Sequence, residues 1–261
     1  MNPRRTLTVA VVAMLGTAVL TACEGVHIGQ DAAGPRDTVV REIPAVSTVE
    51  IDTPGLMRVS VGDEPSLTIT AGERVLDELT AVVHGDRLEI DLPGAWINVG
   101  RIDYELVVPA LASVVIEGSA TVTGELAPAG APVEVRVQGS GGVDLDGAAG
   151  PSVRVVIDGS GDVTLDDVDT PTAEVAIDGS GDVVLHGTAD TLAVSIPGSG
   201  DIDTSDLVAQ DVTASVQGSG TIRVRAERTL DARIDGSGDI TYLGDPAVTS
   251  DVDGSGDIGR A

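Results

Sequence analysis

The chain has 261 residues, no Lys, 15 Arg against 42 acidic residues, and a formal net charge of −27. That balance excludes the basic footprint that nucleic-acid binding requires and any attraction to anionic lipid headgroups; it favours solubility instead. A single cysteine excludes an intramolecular disulfide, and one Trp, two Tyr and no Phe leave aliphatic side chains to build any core.

At the N-terminus Arg4 and Arg5 precede an apolar run over residues 7–20, which ends in Leu20-Thr21-Ala22-Cys23. The pattern predicts a secretory signal over residues 1–22, its run short for a membrane span. The last four residues resemble a bacterial lipobox. That resemblance implies that Cys23 is diacylated, palmitate-type, and becomes the first residue of the mature protein. The chain is then expected to be exported and held by its lipid on the cell membrane or outer membrane, with the domain outside the cytoplasm. An ordinary signal cleaved nearby, leaving a stray thiol, is the alternative. Residues 23–37, with Gly, Ala, Pro and charges, read as the lipidated Cys and a flexible tether, and 38–261 as the folded domain.

Residues 38–112 are strand-rich, with strands expected at 46–51, 58–61, 67–70, 88–92 and 104–108. Within this segment Trp96, in Pro93-Gly-Ala-Trp96-Ile-Asn, is expected to pack on the first rungs; stacking on a sugar is the competing reading.

From residue 113 to 261 the sequence repeats. Gly-Ser-Gly occurs with first glycines at 139, 159, 179, 198, 218, 236 and 254, and a degenerate copy, Gly118-Ser119-Ala120, stands before the first. So regular a spacing, roughly 20 residues, means that one structural unit is stacked on copies of itself. Around each bend aliphatic residues alternate, as in Val153, Val155 and Ile157 before and Val163 and Leu165 after. Alternation at period two marks half-buried strands. Each unit therefore reads as a strand, a glycine-relieved bend, a second strand and a polar turn, with turns at 167–171, 187–190 and 243–246. So short a unit cannot hold a four-stranded propeller blade but suits one coil of a parallel β-helix. Eight coils at roughly 4.8 Å per rung would make a rod of about 38 Å. The glycines are expected where a corner or a close backbone approach leaves no room for a Cβ.

Acidic residues recur at fixed places in the repeat: Asp158, Asp178, Asp235 and Asp253 before the bend, and Asp162, Asp182, Asp201, Asp239 and Asp257 after it. Stacked at about 5 Å, like charges cost near 1 kcal/mol per hydrated pair. One reading gives these columns Ca²⁺, which wants six to eight oxygens. The other has them accept hydrogen bonds from backbone amides and Ser hydroxyls at the bend and face water. The nine-residue Gly-Gly-x-Gly-x-Asp repeat of calcium-loaded β-rolls is matched only superficially. No other cofactor is indicated.

No catalytic constellation emerges. His27, His84 and His186 are scattered without metal-ligand spacing, and the repeated serines form a ladder rather than a single nucleophile. Arg223, Arg225, Arg228 and Arg233 form the one basic cluster and read as a local salt-bridge patch. Saturation with Asp removes any specificity from carboxylate pairs.

The run Val61-Gly-Asp-Glu-Pro-Ser-Leu-Thr-Ile-Thr-Ala, then Val75-Leu-Asp-Glu-Leu, then Val83-His-Gly-Asp-Arg-Leu-Glu-Ile, added to the repeats, resembles the head-GIN-domain family over nearly everything after the tether. The resemblance implies a right-handed β-helix, frequent export and lipidation, and an adhesin role that is itself an inference from shape. It defines no catalytic residues, so none are carried onto this chain. The expectation is an all-β, right-handed parallel β-helix (solenoid) of about eight coils, one per repeat, over 113–261, continuing a strand-rich N-terminal segment, 38–112. Its expected function is a non-enzymatic envelope lipoprotein that binds a protein or glycan on a surface. A self-associating envelope scaffold, pairing through the exposed C-terminal rung, is the alternative; a β-helix enzyme acting on polysaccharide comes third.

Overall fold

A computed structural model describes residues 26–27, 33–96 and 98–261. It is 64% strand and 3% helix, and winds into a β-solenoid of about seven turns rather than eight. Two stacks of parallel strands carry the winding, joined at the Gly-Ser-Gly corners. The first stack runs Arg87–Asp91, Thr48–Asp52, Ser113–Ile116, Val133–Val137 and Val153–Ile157. It continues through the second halves of Asp162–Ile177, Asp182–Ile196, Asp201–Val216 and Thr221–Ile234 and ends on Ala247–Val252. The second stack runs Asp103–Val108, Gly55–Val61, Ala120–Glu125, Gly142–Asp146, the first halves of the same long strands, Asp239–Leu243 and Ile258–Arg260. The strand-rich segment thus supplies the first rungs of the same stack. The last set of strands, 247–252 and 258–260, is short and forms a partial turn.

Each strand buries alternate residues. Val155, Val175, Val194, Ala214 and Ala232 form one inward column, and Ile157, Ile177, Ile196, Val216 and Ile234 another, all at most 2% exposed. Full burial contributes roughly 1.5–3 kcal/mol per aliphatic side chain, and a column of like residues on like fills the interior without aromatic bulk. Tyr104 is the exception, a wholly buried ring whose hydroxyl lies 2.7 Å from Thr53 Oγ1.

The bends at 167–171 and 187–190 are not free turns. The chain stays extended through them and pairs in parallel again, 168–170 with 187–189 and those with 207–209, making a third wall. Val168, Thr170, Ala189, Leu207 and Ala209 point inward along it. The corner into this wall is turned by a register shift between Leu165 and Val168, with Asp167 at φ 54°, a conformation Asp adopts more readily than most residues.

The glycine corners have a steric cause. The Ser180 amide donates to the Gly159 carbonyl at 3.0 Å, and the same bond recurs at Ser140, Ser160, Ser199, Ser219, Ser237 and Ser255. This ladder draws successive corners so close that a Cβ on the first glycine of each would sit less than 3 Å from the carbonyl oxygen of the glycine beneath. The third position is equally tight, Gly181 lying over Gly161. The degenerate copy carries Ala120 at the third position, in register with Gly55 of the preceding rung.

The N-terminal end departs from the winding. Thr80–His84 pairs antiparallel with Arg87–Asp91, and Ser66–Gly72 pairs antiparallel with Asp103–Val108 and with Arg36–Glu42. The helix Glu73–Glu78 packs beside them, with Val75 and Leu79 buried. The first of these strands begins at Arg36, inside the segment read as tether.

Gly179→Ala should cost at least about 3 kcal/mol of stability, since the corner must open and the Ser180 bond with it. Gly130→Ala, at φ 81° with open space around it, should cost only about 1–2 kcal/mol; equal losses in chemical denaturation would contradict the steric account. Burial pushes the Tyr104 hydroxyl up to about 12, against the opposing pull of its bond to Thr53. The unfolded chain therefore ionises this group first. Its contribution is complete below pH 10 and falls away as pH rises to 12, a loss of about 3 kcal/mol for two units. Tyr104→Phe should flatten that alkaline decline.

Candidate functional site

The corner aspartates all lie exposed on the outer surface, but they do different things on the two sides of the bend. After the bend, Asp162 Oδ1 accepts the Asp182 amide at 3.1 Å, Asp182 Oδ1 the Asp201 amide at 3.1 Å, and Asp201 Oδ1 the Thr221 amide at 2.8 Å. Asp239 Oδ1 likewise accepts the Asp257 amide at 2.9 Å. Each of these carboxylates thus accepts an amide from the following rung. Before the bend, Asp158 meets Arg136 at 3.0 Å and Asp235 is held by two bonds from Arg233, each 2.9 Å. Asp178 and Asp253 stand at the equivalent exposed positions. Among the described residues, no group of three or more His, Cys, Asp or Glu side chains converges as a metal site would require.

The arginines follow the rung spacing. Arg223 faces Asp203 in register at 3.8 Å, Arg233 faces Asp251 at 2.9 Å, and Arg154 pairs with Glu174. Arg228 grips Asp211, one bond measuring 2.8 Å, with the Thr229 hydroxyl on the same carboxylate at 2.6 Å. Together these bonds hold the Asp211 carboxyl down at about 2. Arg225 donates to the Ser205 carbonyl at 2.9 Å. The basic cluster is thus a set of cross-rung pairs. Such pairs were findable from residues of opposite charge standing one repeat apart.

His186 pairs with Asp166 on the neighbouring rung, and His84 lies 4.0 Å from Glu89. Cys23 lies outside the described residues, and of His27 only the backbone is described. The backbone strand Val26–His27 runs parallel to Ala95–Trp96.

Beside that pairing, a surface cleft of about 380 Å³ is lined by Asp52, Pro54, Leu92, Trp96, Asn98 and Val99. Trp96 packs partly on the core and donates its indole N–H to the Pro93 carbonyl at 3.1 Å. Near the rim, burial and the adjoining Glu50, Asp52, Glu89 and Asp91 carboxylates push the Glu117 carboxyl up. A cleft so placed suits neutral or cationic groups and repels anions.

The class these features define is a parallel β-solenoid whose outer walls carry cross-rung charge pairs. The chain belongs to the family described as "Putative auto-transporter adhesin, head GIN domain", whose model matches residues 46–246. It is similar in fold to a "putative lipid binding protein" of Parabacteroides distasonis, at 23% identity and TM-score 0.78, covering 87% of this chain and 97% of that one. A "putative adhesin" of the same species shows 21% identity, TM-score 0.78 and coverage of 87% and 98%. Another from Parabacteroides merdae shows 19%, 0.78, 87% and 97%. No curated protein matches. Among the described residues no helix is long and apolar enough to cross a membrane.

If the post-bend carboxylates serve as amide acceptors, Asp182→Asn keeps an acceptor and should leave Tm within about 2 °C, while Asp182→Ala should lower it by several degrees. A calcium-induced rise in Tm that Asp182→Asn abolishes would establish the cation reading instead.

Proposed function

We propose that this chain is a non-enzymatic adhesion module, exported, anchored through a lipid on Cys23, and presenting its rod to a protein or glycan outside the cell. The family carries the adhesin part of this reading. The observation that carries the presentation is the pairing of Val26–His27 with Ala95–Trp96. Only a few residues separate Cys23 from this strand, a span of about 10 Å at full extension. An anchor at Cys23 therefore holds the N-terminal end of the rod against the membrane and turns the Gly-Ser-Gly repeats outward. The absence of Lys and the cross-rung pairing of Arg leave the lipid, not surface charge, as the means of attachment.

A second reading, a self-associating scaffold, draws on the open C-terminal rung. Both readings share the anchored rod.

Residues 24–261 contain the whole described fold. Coupled to beads through their N-terminus, they should be retained saturably on cell-wall or host-surface preparations and release no unsaturated sugar ends from a polysaccharide panel. Absence of retention on every matrix would overturn the adhesion reading; ultraviolet-absorbing products would overturn the non-enzymatic one.

A further inference from the structure

The two ends of the solenoid differ. At the C-terminal end the last rung, Ala247–Val252, has one strand neighbour among the described residues, and all six of its residues are exposed. Val248, Ser250 and Val252 stand in register over Leu230, Ala232 and Ile234. Those three are at most 1% exposed, whereas Val248 and Val252 are 40% and 43% exposed. The interior columns therefore run straight out into solvent. Proteins blunt such edges with proline, inward charges or a covering element; within this rung the inward positions are Val, Ser and Val. The N-terminal end also has strands with one neighbour each, Arg36–Glu42 and Thr80–His84, with Val40 and Val82 exposed, but they do not continue the parallel columns. Its outermost strands run backward, carry Arg36, Asp37, Arg41 and Glu42, and have the helix Glu73–Glu78 packed beside them.

We infer that the C-terminal rung is a docking edge for the C-terminal rung of a second copy, joining two rods tip to tip about a two-fold axis. In a symmetric antiparallel pairing centred on Ser250, Val248 of one copy lies opposite Val252 of the other, so the inward face continues unbroken. The same register sets Asp251 opposite Thr249 and Asp253 opposite Ala247. No carboxylate then faces a carboxylate directly, where like charges would oppose pairing. Asp251 is in addition neutralised by Arg233 within its own chain. Such an isologous contact closes at two copies, so the product is a dimer and not a filament. The inference rests on the anchored-rod reading only for its consequence, that rods fixed at their N-terminal ends on facing membranes meet at their tips and adhere to one another.

Sedimentation of residues 24–261 should show a concentration-dependent monomer–dimer equilibrium. It should tighten as salt screens the two acidic bodies. Ser250 is exposed in the monomer, so Ser250→Lys should leave Tm unchanged while placing two cations face to face, weakening dimerisation at least about tenfold. Val82→Lys at the opposite end should leave it intact. Ser250→Cys, with no other thiol in residues 24–261, should form a disulfide-linked dimer on mild oxidation. A monomer at all concentrations without cross-linking would overturn the inference, and so would a ladder of larger species. Beads coated with the chain should clump with one another, and Ser250→Lys beads should not. Retention on foreign surfaces unaffected by Ser250→Lys would separate failure of this contact from failure of adhesion as such.

Discussion

Everything in this molecule follows from how closely successive corners approach. At each bend a serine amide reaches the carbonyl of the glycine one rung below, and the backbone is drawn in until no side chain fits on either flanking glycine. This contact keeps the two sheets in phase from one rung to the next. Once they are in phase, Val falls on Val and Ile on Ile without adjustment, and a core lacking Phe becomes possible. A solenoid coil cannot bury its apolar face alone, so the corner ladder and the aliphatic columns depend on each other.

Stacking also imposes its cost. A motif that recurs once per coil places identical charges in columns, and the net charge of −27 makes that cost real. The outer surface offsets it in two ways. Carboxylates after the bend take up backbone amides of the following rung. Arginines are inserted where an acidic residue stands on the adjoining rung, as Arg223 over Asp203 and Arg154 against Glu174. Exposed pairs of this kind stabilise little individually; their effect here is to interrupt runs of like charge.

Much of this was legible before any coordinates. The repeat, its period-two alternation and the crowding at glycine specify a parallel solenoid, and the strands at 46–51, 58–61, 67–70, 88–92 and 104–108 all lie within or across observed strands. The third wall was hidden because Asp167, Thr170 and Pro171 carry turn chemistry, while the inward Val168 is a single apolar position between two aspartates. The antiparallel pairing at the N-terminal end and its short helix were hidden too. A helix as short as Glu73–Glu78 cannot establish a period, and only the spacing of Val75 and Leu79 hinted at it. The charge columns were visible as columns, but not the amides they serve, because those bonds exist only between rungs a full repeat apart in the sequence.

The corner ladder can be tested most directly by hydrogen exchange, read by NMR residue by residue, at the amides of Ser160, Ser180, Ser199 and Ser219. If these amides are bonded to the rung beneath, they should exchange as slowly as the flanking strand amides and open only with the array, despite lying in surface bends rich in glycine. Fast exchange at the serines alongside protected strands would mean that the corners are ordinary loops, and that the aliphatic columns keep the rungs in register without them.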